Sequence, residues 1–226
     1  MDAGIALVVA VFGGFVGLWA WRQVRRAQRG DFIRRYMFPP GLLAKLRKRY
    51  PHFQAREEQY TARALRRFFL TYLHAGFAPV AMPSRVADEL WHEFILYTRD
   101  YQRFCQEAFG RFLHHSPAAL MAPHQRERNA ALRRTWWHAC LDENIDPRKP
   151  TRLPLLFALD AKLAVDDGYR YRLDGKLAPP QEGPDFDFDA SIFSDPSLDG
   201  GTEGLGDSGG DGSGGDGGCG GGCGGD

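Results

Sequence analysis

The run Asp88 to Cys105, DELWHEFILYTRDYQRFC, holds the densest set of side chains able to do chemistry. Asp88 and His92 are four residues apart, which on a helix sets them one turn apart on the same face. A carboxylate so placed can orient the imidazole, or both groups can face a metal ion. Arg99 continues that stripe. Trp91, Ile95, Thr98, Tyr101 and Cys105 fall on or near the adjoining apolar face, which is expected to be core. His114 and His115 follow Phe112 and Leu113, and His124 and His138 lie further downstream. A zinc or iron site needs three or four nitrogen, sulfur or oxygen ligands. The candidate set is therefore Asp88, His92, one of His114 and His115, and His138. Because the spacing matches no established ligand signature, two other readings stand beside it. In one, His92 hydrogen-bonds within a helical core and His114 and His115 terminate a helix. In the other, His92 transfers protons without a metal.

Cys105 and Cys140 each sit in an apolar helical pattern, where a small buried residue is the commoner explanation than a reactive thiol. Cys219 and Cys223, spaced CGGGC, could bind a soft metal, cross-link or accept modification, but two thiols do not complete a tetrahedral site. No glycine-rich phosphate loop lies between a strand and a helix, and no GxSxG elbow stands between a strand and a helix either, the pattern occurring only as GDSGG within the glycine-rich tail.

The elements that must position these groups read as mainly helical. Pro39, Pro40 and Gly41 interrupt any helix continuing from the N-terminus, and Leu42 to Tyr50 forms a short basic helix stopped by Pro51. Tyr60, Ala64, Leu65, Phe68, Tyr72 and Leu73 recur at helical spacing, predicting a helix from Ala55 to His74 with Gly76 as its stop. Ser84 caps a helix expected to reach Phe109, where Gly110 ends or kinks it. Ser116 and Pro117 open helical sequence that Pro123 can interrupt before it continues to about Leu141. Leu155 to Val165 is apolar at helical spacing, and a small hairpin is predicted around Asp174 and Gly175, between Tyr169–Leu173 and Lys176–Leu177.

A separate signal sits at the N-terminus. Ala3 to Trp21 is an uncharged apolar stretch which, at about 1.5 Å per residue, spans roughly 28 Å of hydrocarbon. The only charge before it is Asp2, unlike the basic start of a signal peptide. Arg22, Arg25, Arg26, Arg29, Arg34 and Arg35 all follow it, which by the positive-inside rule puts the N-terminus outside and the rest in the cytoplasm. The expectation is a single-pass protein of the plasma (inner) membrane. Trp19 and Trp21 fit an interfacial belt, Arg22, Arg25, Arg26 and Arg29 fit lipid headgroups, and Gly13 and Gly17 could let two anchors pack as a homo-oligomer.

The formal net charge of +1 hides two opposite halves. Residues 1–176 carry all 29 basic residues against 17 acidic ones, a net +12, while 177–226 carry 11 acidic residues and no basic ones. From Arg22 to Arg67 the balance is 14 basic to 3 acidic, which raises nucleic acid as a partner. The span already accounts for the clustered arginines and no nucleic-acid motif accompanies them, so lipid is preferred. From Gly200 onward 16 of 27 residues are glycine, too little apolar surface to offset ordering entropy, and the segment is expected to be disordered. The organisation predicted is an anchor at 1–21, a basic juxtamembrane segment at 22–54, a helical globular domain at 55–176, an acidic linker at 177–199 and a Gly/Asp/Cys tail at 200–226.

Trp91, His92, Leu96, Tyr101 and Cys105, with Phe109 and Gly110, occur in the order and spacing of a known signature, and the segment resembles the glycine-rich domain-containing proteins. The chain departs from that signature twice: Phe94 stands where the family commonly has a second His, and Thr98 where it has Pro. The resemblance implies a helical domain, with plant members linked to development, stress responses and RNA binding through other segments. It supplies no reaction. With no complete catalytic constellation in view, the leading expectation is a membrane-anchored cytoplasmic module that interacts with or scaffolds a protein partner. A membrane-anchored metal-binding protein or metalloenzyme is the alternative, and a basic nucleic-acid binder the third.

Overall fold

The computed structural model describes residues 3–115 and 125–173, and all regular structure within them is helical. The expectations placed on Ser116, Pro117, Pro123, His124 and the whole of 177–226, including Cys219 and Cys223, lie outside the described residues.

Helix α1 (Ala3–Arg35) changes character along its length. Residues 7–28 are exposed all round, with Val9 66%, Phe12 68% and Phe15 69% accessible. It is the one described helix long and apolar enough to cross a membrane, and none of its most apolar window is covered by protein. From Gly30 onward the same helix packs into the body: Ile33 is fully buried, and Phe32 and Tyr36 lie against the core.

The contact continues through the segment that the sequence places between anchor and domain. Gly41, at φ 86°, lets the chain reverse after Pro39 and Pro40, and α2 (Leu42–Arg49) follows it. Leu42, Leu46, Tyr50 and Phe53 are buried in the same core as the later helices, and the buried Glu58 carboxylate accepts from Arg47 Nε at 2.7 Å. The packed body thus begins near Gly30, ahead of the predicted boundary at Ala55. Net positive charge conceals the apolar residues that recur through this stretch.

Helix α3 (Ala55–His74) occupies the centre and packs against α1, α2, α4, α6 and α7. Gln54 and Glu57 form a reciprocal capping box at its start, and Gly76, at φ 64°, follows its end as expected. Beyond it run α4 (Arg85–Leu96), α5 (Thr98–Phe109), α6 (Gln125–Asp142) and α7 (Leu155–Lys162). Phe69 is the hub of the core, with ring contacts to Phe68, Trp91, Phe94, Phe104 and Phe109.

The single helix predicted from Ser84 to Phe109 is two helices, broken at Tyr97 (φ −81°, ψ 61°). The break ends the predicted stripe: Thr98 and Arg99 are exposed, so Thr98 is not core and Arg99 does not extend the Asp88–His92 face. No strand forms among the described residues; the first arm of the predicted hairpin is irregular and its second arm lies outside them.

Candidate metal centre

The site is built on the first two turns of α4, whose N-terminus is fixed from the other side of the body. Ser84 Oγ accepts from Ala87 N at 3.2 Å and donates to Asp160 Oδ1 at 2.6 Å. The buried Asp160 carboxylate, on α7, also accepts from the backbone N–H groups of Arg85, Val86 and Tyr169 at 2.7, 3.3 and 2.9 Å. An acceptor here serves the orphan donors of α4 and complements its positive end. Burial pushes the Asp160 carboxyl above its ordinary pKa, and these hydrogen bonds pull against that shift. Gly168 is required by close approach, since a Cβ there would lie 2.5 Å from Asp160 Cβ.

The break at Tyr97 then folds α5 back beside α4. Trp91 Nε1 donates to Tyr101 Oη at 3.1 Å, although on a straight helix ten residues would separate them by about 15 Å. Tyr101 Oη in turn donates to the carbonyl of Leu113 at 2.6 Å. This buried relay holds the segment Arg111–His115 against α4, and the His115 ring packs edge-on against Trp91 with centroids 4.4 Å apart.

Asp88, His92 and His115 consequently converge, each with one ligand atom within 4.8 Å of the others. His115 Nε2 lies 2.9 Å from Asp88 Oδ1, and the His92 and His115 rings are 4.1 Å apart. His92 Nδ1 is 2.8 Å from the Asp88 carbonyl, which only accepts, so this contact calls for a proton on Nδ1, and in the neutral ring the lone pair is then on Nε2. His115 is nearly covered, its side chain 10% accessible, whereas Asp88 is 34% and His92 50% accessible. Ligands about 2.0–2.1 Å from a metal stand about 3.3 Å apart in a tetrahedron, so the three groups, with ligand atoms within 4.8 Å of one another, stand wider than a closed set.

The remaining predicted residues go elsewhere. His114 is exposed and rests on Phe112, with ring centroids 4.9 Å apart. His138, on α6, faces His74 on α3 with ring centroids 6.4 Å apart and is not in the cluster. Burial, His74, Arg26 and Arg134 lower its pKa to about 4, and its Nε2 is buried without a hydrogen-bond partner. Cys105 and Cys140 are buried free thiols as expected, and burial raises both, Cys140 to about 12, so neither is a ready nucleophile. Of the predicted lipid contacts, Arg22 and Arg25 are exposed, Arg25 lying over the Trp21 ring. Arg26 instead donates to the carbonyls of Leu73 and His74 at the end of α3, and Arg29 covers Gly110. Sequence reasoning missed the positioning roles of Tyr101 and Asp160. The signal for Asp160 was available, an acid in the middle of the apolar run LLFALDAK.

The profile of a family described as UCP032817-like matches residues 28–190, well over half the chain. The chain belongs to the UCP032817-like family. No curated protein and no solved structure matches it. The UCP032817-like match opens two residues before Gly30, the point at which α1 first becomes buried. The family unit and the packed body therefore start together, and the exposed apolar part of α1 lies ahead of both. Asp88, His92 and His115 all lie within the matched region.

Proposed function

We propose that this protein is a membrane-anchored helical module whose body carries a divalent metal ion on Asp88, His92 and His115. The observation that carries the reading is the convergence of two imidazoles and one carboxylate from separate parts of the fold. Two histidines and a carboxylate with open positions is a donor set that suits zinc or ferrous iron. Partial exposure of His92 leaves room for water or a small substrate in the remaining positions. The kinship with glycine-rich domain-containing proteins belongs to the same proposal: of the residues that carry it, Trp91 and Tyr101 steady His115 beside His92. The exposed half of α1 is the anchor, with the N-terminus outside and the body cytoplasmic; its apolar surface and the arginines after it support that orientation.

The test uses the full-length chain in detergent with Cys219→Ser and Cys223→Ser, which removes the tail thiols as competing ligands. After chelation and dialysis against zinc, or ferrous ion without oxygen, elemental analysis should give one metal per chain. His92→Ala and His115→Ala should each weaken binding at least 10-fold, while His114→Ala and His138→Ala leave it unchanged. Tyr101→Phe removes the donor to Leu113 and should weaken it roughly 10-fold, as loss of an orienting hydrogen bond commonly does. Metal content that ignores both His92 and His115 would sink the reading and leave Asp88–His115 as a clasp between α4 and the segment after α5.

A further inference from the structure

Away from the metal centre, α1, α3 and the end of α6 enclose a cleft of about 260 Å³ lined by Arg34, Arg63, Arg66, Arg67, Leu70 and Asp142. Four guanidinium groups meet a single carboxylate there. Asp142 is already shared, its oxygens 3.4 Å from Arg34 Nη2 and 3.8 Å from Arg67 Nε. Arg67 pairs also with Glu143, which serves Arg152 as well. Arg63 and Arg66 have no acidic partner among the described residues. Arg66 is half-buried, donating to the Tyr36 carbonyl at 3.0 Å with its guanidinium over the Phe38 ring. Burial and the neighbouring Arg63 lower its pKa, the mark of a desolvated cation lacking a counter-charge.

On α3 these arginines stand at i, i+3 and i+4, one face of a helix, where like charges repel. Ordinary solvation explains an arginine on an open surface; it does not explain three converging on a concavity with a fourth supplied by α1. A second cleft of about 390 Å³ adjoins the first, sharing Arg63 and Arg67 and adding Tyr60, Leu153, Leu155 and Lys162 among its walls. A cationic head thus leads into a partly apolar body.

We propose that the paired clefts bind a small phosphorylated molecule, its phosphate groups held by Arg34, Arg63, Arg66 and Arg67 and its organic part lying over Tyr60 and Leu155. Guanidinium forks match phosphate oxygens two at a time, and several forks around one cavity select adjacent phosphates over a single one. The same headgroup chemistry could come from a soluble compound or from a lipid. With the anchor embedded as proposed, Arg34 lies twelve residues beyond Arg22, about 18 Å along α1, whereas the headgroup layer is only about 5–8 Å deep. Geometry favours the soluble source. The inference does not depend on the metal centre.

Full-length protein in phosphatidylcholine nanodiscs, titrated calorimetrically with inorganic pyrophosphate at fixed ionic strength, tests it. Pyrophosphate should bind at least 10-fold tighter than sulfate. Arg63→Gln, an exposed side chain with no partner to strand, should weaken it at least 10-fold with an unchanged melting temperature, while Arg49→Gln, outside the cleft, changes it less than 2-fold. Nanodiscs that also carry a bisphosphorylated inositol lipid distinguish the sources. Unchanged pyrophosphate affinity supports a soluble ligand, and a loss of 5-fold or more keeps the phosphate site but assigns it to the lipid headgroup. Equal effects of Arg63→Gln and Arg49→Gln, or equal affinity for sulfate and pyrophosphate, would overturn the proposal.

Discussion

His138 shows how much the surroundings of one side chain alter its chemistry. A histidine near its ordinary pKa would be the natural third ligand for a neighbouring metal, yet here it sits between α6 and α3 against His74, with Arg26 and Arg134 adding positive potential. Its depressed pKa gives a signed prediction. Above pH 6.5 the imidazole is neutral in both folded and unfolded chains and contributes no pH dependence. Between about 6.5 and 4 the unfolded chain takes up a proton that the folded one refuses, so stability falls as the solution is acidified. After discount for solvent screening of a partly exposed group, the loss should be no more than about 2 kcal/mol. Urea unfolding from pH 7.5 to 4.5 should show a shallower decline in His138→Gln than in the parent. Parallel curves would mean that the ring titrates normally.

Helix α4 depends on α7 for its position, because Asp160 supplies acceptors for the N–H groups of Arg85 and Val86 as well as for Ser84 and Tyr169. Asp160→Ala strands several buried donors at once, each costing about 1–3 kcal/mol where water does not replace the acceptor, so the expected loss is on the order of 3–5 kcal/mol. Asp160→Asn retains one acceptor oxygen and should cost less than half of that. Denaturant midpoints within about 1 kcal/mol of the parent for the Ala variant would show that α4 does not lean on this contact. The cap itself was legible: Ser84 before an amphipathic run is a strong start signal, and Asp88 with His92 follows from helical period alone. The break at Tyr97 was not, because the apolar pattern runs through it. One hint existed in the resemblance, whose signature has Pro at the position of Thr98, the first residue of α5, and Pro favours a first helical turn. The choice of His115 over His114 was equally hidden. Neighbouring residues in an irregular segment point different ways, and the Tyr101–Leu113 hydrogen bond, the Trp91 ring and the Asp88 carboxylate together fix which imidazole turns to α4.

The division of the molecule into anchor and body is set by burial along α1, and charge gave the wrong place to cut. Residues 22–54, with 10 basic side chains against one acidic, read as a basic juxtamembrane segment, but Ile33, Phe32, Tyr36 and Phe38 all pack on the core, with Tyr36 4.6 Å from Phe104 between ring centroids. Full burial of such a side chain is worth about 1.5–3 kcal/mol; Ile33 is fully buried and Phe32, Tyr36 and Phe38 partly so, a sum that is a sizeable share of the roughly 5–15 kcal/mol that holds a typical domain together. A fragment that starts at Leu42 should therefore fail to fold, even though α2 to α7 remain intact in sequence. One that starts at Gln28 keeps the packed half of α1 and loses the exposed apolar half together with the Arg26 contacts to Leu73 and His74. It should be soluble without detergent and melt cooperatively, with only a modest loss from the missing cap. Circular dichroism melts of the two fragments side by side decide the matter. A cooperative transition at the same temperature for both would show that α1 is merely tethered to the body, and would return the boundary to the end of the arginine-rich segment.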